Sequence, residues 1–195
     1  ENFQTLSYKW YDGEQKLKRL GMTELDYMKI LVGKCKEFAA GFPQNGRNLL
    51  FTGSTGVGKT FLTNCIAKEL IDRYLSVIYL TSQDLFELLS RYKFGRDFQE
   101  DSEEAFRHVL ECEMLIIDDL GTEVNNTFVS SQLFYCINER ILRQKGTIIS
   151  TNLSVGALQD MYSDRVTSRI MSHYAVIPLY GGDIRKKKKN FRGLT

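Results

Sequence analysis

The sequence lacks long apolar runs, cysteine clusters and any large excess of charge of one sign. No apolar run approaches the roughly 20 residues that a membrane-spanning helix needs, and the first residues show no signal-peptide pattern. The two histidines, His108 and His173, are isolated, so neither is assigned a role. The cysteines match no metal-binding spacing, and we expect buried free thiols in the cytoplasm: Cys35, Cys65, Cys112 and Cys136.

The formal net charge of +2 is unevenly distributed along the chain. The last eleven residues contain six basic side chains and no acid, so the remaining chain is slightly negative: Arg185, Lys186, Lys187, Lys188, Lys189 and Arg192. A basic terminus of this kind either touches nucleic acid or lies solvated and frayed. The sequence favours neither interpretation.

A length of 195 residues suits one domain. We expect an N-terminal linker and helix over residues 1–45, a core over 46–180 and a basic tail over 181–195. The chain begins at Glu1 rather than at a methionine, which suggests a preceding part that the sequence does not include.

Short apolar segments alternate with segments of helical periodicity. Strands are predicted over 48–53, 76–81, 113–121, 147–152 and 175–180. Helices are predicted over 23–42, 61–74, 82–95, 126–146 and 155–171, with a further one from about residue 102. This alternation predicts an α/β fold in which a five-stranded parallel sheet lies between two helical layers.

A glycine-rich loop follows the first predicted strand and has the full spacing of a Walker A motif. Its backbone N–H groups and the adjoining helix N-terminus suit phosphates, Lys59 adds a positive charge, and the Thr60 hydroxyl suits Mg²⁺. The motif predicts a site for ATP or ADP with Mg²⁺, formed by Gly53, Ser54, Thr55, Gly56, Val57, Gly58, Lys59, Thr60 and Phe61.

Two further strands end in polar residues. "LIIDDLGTE" places Asp118 and Asp119 at the carboxyl end of a buried strand, where open α/β sheets bind ligands. Asp118 suits Mg²⁺ and Asp119 suits the polarisation of an attacking water. Asn152 ends "TIISTN" and would reach the γ-phosphate or that water. Taken singly, the acidic pair also fits an ordinary polar turn, and "STN" an ordinary helix cap.

Two features outside these strands bear on the same chemistry. Arg165 and Arg169 lie four residues apart, on one face of a predicted helix. They form either a solvated pair or an arginine that completes a neighbouring subunit's ATP site, which would require head-to-tail assembly. Trp10 and Tyr11, ahead of the first helix, are candidates for packing on adenine.

In order and spacing, "GSTGVGKT", "LIIDDLGTE", "STN", "DRVTSRIM" and "GGDIR" resemble the AAA+ ATPases. Among these, the chain resembles the DnaC/DnaI-type replicative helicase loaders and the related IstB-like transposition helper ATPases. The resemblance implies a Walker B pair at Asp118 and Asp119, a sensor-1 residue at Asn152, an arginine-finger segment at Arg169 and Arg165, and a sensor-2-like arginine at Arg185. It also implies a core without a full C-terminal helical lid.

Helicase loaders carry an insertion after the second strand that contacts single-stranded DNA. In this sequence "DLFELLSRYKFGRDFQ" occupies that place, with Lys93, Phe94 and Arg96 as the candidate contacts. Phe86, Leu89 and Phe94 fit a core equally well, with Lys93 and Arg96 facing solvent. Loaders grip a ring helicase with a separate N-terminal domain, and this sequence has no room for one before its first helix.

The expected function is therefore an ATP-driven accessory protein of DNA replication that binds single-stranded DNA and loads a replicative ring helicase. An IstB-like helper that acts on duplex DNA and a transposase is the alternative. A P-loop kinase would need an arginine-rich acceptor lid, which the sequence lacks. A nucleotide-dependent binding module with little hydrolysis fits less well with Asp118, Asp119 and Asn152 all present.

Overall fold

The computed structural model describes residues 1–44, 46–94, 99–124 and 126–192. Its sheet has five parallel strands in the order β2-β3-β4-β1-β5, which confirms the predicted parallel sheet. The strands are β1 (Asn48–Thr52), β2 (Val77–Thr81), β3 (Met114–Leu120), β4 (Gly146–Thr151) and β5 (Ala175–Pro178).

Helices connect the strands and flank both faces of the sheet. Side-chain oxygens of Thr23, Asn126 and Ser154 cap three of them by accepting backbone N–H groups. The described residues contain α1 (Glu24–Gly41), α2 (Lys59–Asp72), α3 (Ser82–Phe94), α4 (Gln99–Glu111), α5 (Thr127–Leu142), α6 (Val155–Tyr162), α7 (Asp164–His173) and α8 (Ile184–Arg192), with a 3-10 turn at Tyr8–Trp10.

Two hydrophobic cores lie on opposite faces of the sheet. Along β1, Leu49 and Phe51 pack into one core and Leu50 into the other, because successive side chains of a strand point to opposite faces. The first core holds α1, α2 and the N-terminal segment, and the second holds α3 to α7. All four cysteines are buried and free, as predicted. No described helix is long and apolar enough to cross a membrane.

The helical segment predicted over residues 155–171 is confirmed, but it is not one continuous helix. It is divided into α6 and α7 at Ser163, whose φ of 91° lies outside the range of a right-handed helix. No glycine or proline marks this break in the sequence. A smaller difference concerns α4, which begins at Gln99 rather than near Ser102.

The described part of the basic C-terminal segment forms a helix, α8. The Ile184 N–H donates to the Gly56 carbonyl of the glycine-rich loop over 2.9 Å. Lys187 Nζ donates to the Trp10 carbonyl over 2.7 Å and lies 3.3 Å from Glu24 Oε2. These contacts hold the helix beside the loop and the N-terminal segment.

Candidate nucleotide-binding site

The glycine-rich loop joins β1 to α2 at the carboxyl edge of the sheet, and its backbone conformation requires glycine. Gly53 and Gly56 have φ values of 146° and 82°. A Cβ at Gly53 would lie 2.4 Å from the Leu179 carbonyl oxygen, and one at Gly56 would lie 2.1 Å from Asp183 Oδ1. The loop is therefore wedged between the segment after β5 and the start of α8.

Lys59, the first residue of α2, is buried with its ammonium inside this loop. Its Nζ donates to the carbonyls of Gly53 (2.6 Å) and Ser54 (3.0 Å). Burial lowers the pKa of Lys59, while Asp119 and Asp118 oppose that shift. No described carboxylate forms a salt bridge with this ammonium, although buried charges are normally paired. A phosphate would supply the anion.

Asp118 is buried at the end of β3 and accepts three side-chain hydrogen bonds. Oδ2 accepts from the Tyr79 hydroxyl (2.7 Å), and Oδ1 accepts from Ser150 Oγ and, at 3.4 Å, from Thr60 Oγ1. Burial raises the pKa of Tyr79, so the phenol stays a neutral donor. Among the described residues, no group of three or more acids, histidines or cysteines is arranged to hold a metal ion by itself. The neighbouring oxygens of Thr60 and Asp118 suit Mg²⁺, which proteins commonly bind through one or two carboxylates together with substrate phosphates.

Asp119 faces the loop because of a β-bulge. Ile117 pairs with Ile149 and Leu120 with Thr151, so β3 has one residue more than β4 over this stretch. Asp119 has a φ of 54°, and its N–H donates to Ser150 Oγ over 3.0 Å. In a regular strand the side chain of Asp119 would point to the opposite face of the sheet from that of Asp118. With the bulge, Asp118 is buried and Asp119 is exposed, and Asp119 lines the cleft beside the loop.

A cleft of about 360 Å³ is lined by Lys59, Thr60 and Asp119, and its volume is in the range of small-molecule sites. Lys59, Asp119 and Asn152 contribute polar groups to its lining. Trp10 and Tyr11 of the N-terminal segment contribute aromatic rings to the same lining, and their packing on adenine stays a prediction. Of the predicted nucleotide-site residues, the lining includes Thr55, Gly56, Gly58, Lys59, Thr60, Phe61, Asp119, Asn152 and Arg185.

Arg165 and Arg169 do not line this cleft. Both are exposed on α7 and border a shallow depression with Phe134, Asp164 and Ser168. This depression shares no lining residue with the cleft at the phosphate loop.

The candidate DNA contacts lie at the end of α3. Phe94 is 65% exposed, and its ring centroid lies 5.1 Å from that of Phe128 at the start of α5. Lys93 is exposed, and Arg96 lies outside the described residues. The alternative interpretation is right for Phe86 and Leu89, which are buried, and wrong for Phe94.

The sequence interpretation missed Ser150 and Tyr79. Ser150 is fully buried on β4 and bridges the Asp118 carboxylate and the Asp119 N–H. Tyr79 on β2 bonds Asp118 and lies 3.3 Å from Thr63 Oγ1. Polar residues within the otherwise apolar runs "TIIST" and "VIYLT" are the signal that would have indicated them.

Known proteins with similar sequences include other ATP-binding proteins. The family described as IstB-like ATP binding protein matches residues 28–191. The ATP-binding protein of insertion sequence IS232 from Bacillus thuringiensis is 24% identical over 75% of this chain and 58% of its own length. The helicase loader DnaC of Buchnera aphidicola is 23% identical over 83% of this chain and 65% of its own. The chain thus spans less than two thirds of either relative.

A crystal structure of the DnaC helicase loader superimposes with a TM-score of 0.68 at 24% identity. The alignment covers 89% of this chain and 98% of that one. At this identity the likeness establishes the fold alone, and it confirms the predicted α/β sandwich around a five-stranded parallel sheet.

Proposed function

Because the chain belongs to the family of IstB-like ATP binding proteins, we propose that it hydrolyses ATP with Mg²⁺ to drive work on DNA. More narrowly, we propose the motor part of a replicative helicase loader. The observation that carries the ATPase proposal is the buried Lys59 ammonium, which has no described anionic partner and shares a cleft with Asp119 and Asn152.

Polar groups in and beside the cleft then have roles in the proposed reaction. Lys59 and the loop N–H groups hold the β- and γ-phosphates. Thr60 and Asp118 are the residues that would hold Mg²⁺, and the ion would supply positive charge to the phosphates. Asp119 and Asn152 orient the attacking water, and Arg185 at the rim adds positive charge beside the phosphates.

Ser150 is expected to support turnover by positioning the acidic pair. Ser150→Ala removes both of its hydrogen bonds, so we expect about a tenfold lower kcat with nucleotide affinity nearly unchanged. Thr151→Ala is the matched control, because it removes a neighbouring hydroxyl that bonds Leu120 and Leu153 instead. Steady-state phosphate release would measure both variants, and equal kcat values for the two would refute a specific role for Ser150.

Arg169, with Arg165 beside it, is proposed to act on the ATP site of an adjacent subunit in a head-to-tail assembly. Arg169→Ala and Lys59→Ala proteins should each turn ATP over slowly. Their mixture should regain part of the activity, because intact sites of one protein meet intact arginines of the other. A mixture no more active than the average of its components would argue against action in trans.

The two candidate functions differ in the DNA they require, which is single-stranded for the helicase loader and duplex for the transposition helper. Lys93 and Phe94 combine a cation with an exposed ring, which suits backbone tracking and base stacking on a single strand. The similarity to the IS232 ATP-binding protein supports a transposition helper as the second candidate function. A ring helicase is the proposed protein partner of the loader.

Fluorescence anisotropy of labelled single-stranded and duplex DNA, with ADP, ATP or a non-hydrolysable analogue at fixed salt, tests this proposal. The loader should prefer single strands in the triphosphate state. Preference for duplex would favour the transposition helper. Absence of DNA binding in every nucleotide state would contradict both.

A further inference from the structure

Helix α8 carries five consecutive cations, from Arg185 to Lys189, and no carboxylate over its nine residues. Lys187 is half-buried and bonds Glu24 and the Trp10 carbonyl. The other four side chains are exposed, and the described part of the chain shows no salt bridge to any of them: Arg185, Lys186, Lys188 and Lys189.

These four cations form one continuous arc around the helix. At about 3.6 residues per turn, Arg185, Lys188 and Lys189 lie on one side and Lys186 lies next to Lys189. Arg185 and Lys188 line the nucleotide cleft, whereas Lys186 and Lys189 do not. The positive surface therefore begins at the rim of the cleft and continues onto the outside of the protein.

Hydrogen bonds to the rest of the protein fix the position of the helix that carries these four cations. The Ile184 N–H bond to Gly56 fixes the start of the helix, and the Lys187 contacts fix its inner side. Like charges three and four residues apart on a helix destabilise it. An ordered helix with uncompensated like charges is therefore suited to a polyanion that neutralises them.

The chemistry of the arc favours nucleic acid over an acidic protein. Interfaces between proteins have an apolar, charge-depleted centre, and residues 185–189 present no apolar side chain. Interfaces with nucleic acid are polar and strongly positive. We propose that the exposed face of α8 binds the phosphate backbone of DNA. The proposal rests on the proposed function in one respect, namely that the protein acts on DNA.

The test is a double variant, Lys186→Gln with Lys189→Gln, which leaves the cleft-lining Arg185 and Lys188 in place. Lys29→Gln with Lys34→Gln is the matched control, because it removes the same charge from exposed positions on α1. Calorimetric titration with ATP and Mg²⁺ should give wild-type affinity for both, which shows that they fold. Anisotropy of labelled DNA is then followed between about 50 and 200 mM salt, where phosphate contacts have their largest effect.

We expect the α8 variant to bind DNA about tenfold more weakly than the control at 0.1 M salt. The magnitude of the slope of log affinity against log salt should fall by about 1.8 when the labelled DNA is duplex and by about 1.4 when it is single-stranded. Equal affinities and slopes for variant and control would overturn the α8 site. Failure of the wild-type protein to bind any DNA would instead contradict the proposed function.

Discussion

Replacement of Lys59 by alanine should lower the affinity for ATP by about 100-fold or more. The Lys59 ammonium is buried in the phosphate loop, where it bonds only neutral carbonyls of Gly53 and Ser54 in the described structure. Hydrogen bonds to charged groups contribute about 1.5–3 kcal/mol each, and a 100-fold change corresponds to about 2.7 kcal/mol. Loss of the bonds that the lysine would make to phosphates therefore accounts for the expected change.

Calorimetric titration with ATP and Mg²⁺ measures this effect. Lys68→Ala is the control, because Lys68 lies on the same helix and forms only an exposed ion pair with Asp72. That pair has little energetic weight, so affinity should not change. If Lys59→Ala retained tight ATP binding, the glycine-rich loop would not be the phosphate site.

Replacement of Asp119 by asparagine should leave ATP binding intact and lower turnover by about 100-fold or more. The bulge in β3 turns this carboxylate into the cleft, and Asn152 lines the same cleft. An amide of the same shape still accepts a hydrogen bond but cannot take a proton from water. General-base catalysis contributes about 10²–10⁴ in rate, which sets the expected size of the loss.

Single-turnover phosphate release, with nucleotide affinity measured in parallel, separates these two effects for Asp119→Asn. The control is Asp160→Asn, which makes the same chemical change at an exposed position of α6. Unchanged turnover in Asp119→Asn would remove this carboxylate from the reaction. A parallel loss of affinity would instead assign Asp119 to nucleotide binding.

Local motifs made much of the fold and site predictable. The glycine spacing around Lys59 predicts both the loop and the helix after it, because only glycine tolerates φ values such as those at Gly53 and Gly56. The apolar run before Asp118 predicts a buried strand that ends at the same sheet edge. Each signal is contained within a few neighbouring residues, so it can be recognised from sequence alone. The parallel sheet then places the loop and Asp118 at the same edge, although they are far apart in the chain.

Features that depend on distant pairing were not predictable. The bulge at Asp119 arises from the register between β3 and β4, and the role of Ser150 depends on that bulge. The position of α8 rests on the Ile184–Gly56 hydrogen bond between segments far apart in sequence. No local residue preference encodes such contacts, and charge alone left the basic segment open to either interpretation.

The central claim is that ATP occupies the cleft between the phosphate loop and the N-terminal segment. Trp10 is the single tryptophan of the chain and lines this cleft, so its fluorescence reports occupancy without a label. Titration of the protein with ATP and Mg²⁺ should give a saturable change in Trp10 emission, with the same midpoint as calorimetry, that is lost in Lys59→Ala. Calorimetric binding that leaves Trp10 emission unchanged, or no saturable binding at millimolar ATP, would contradict the account.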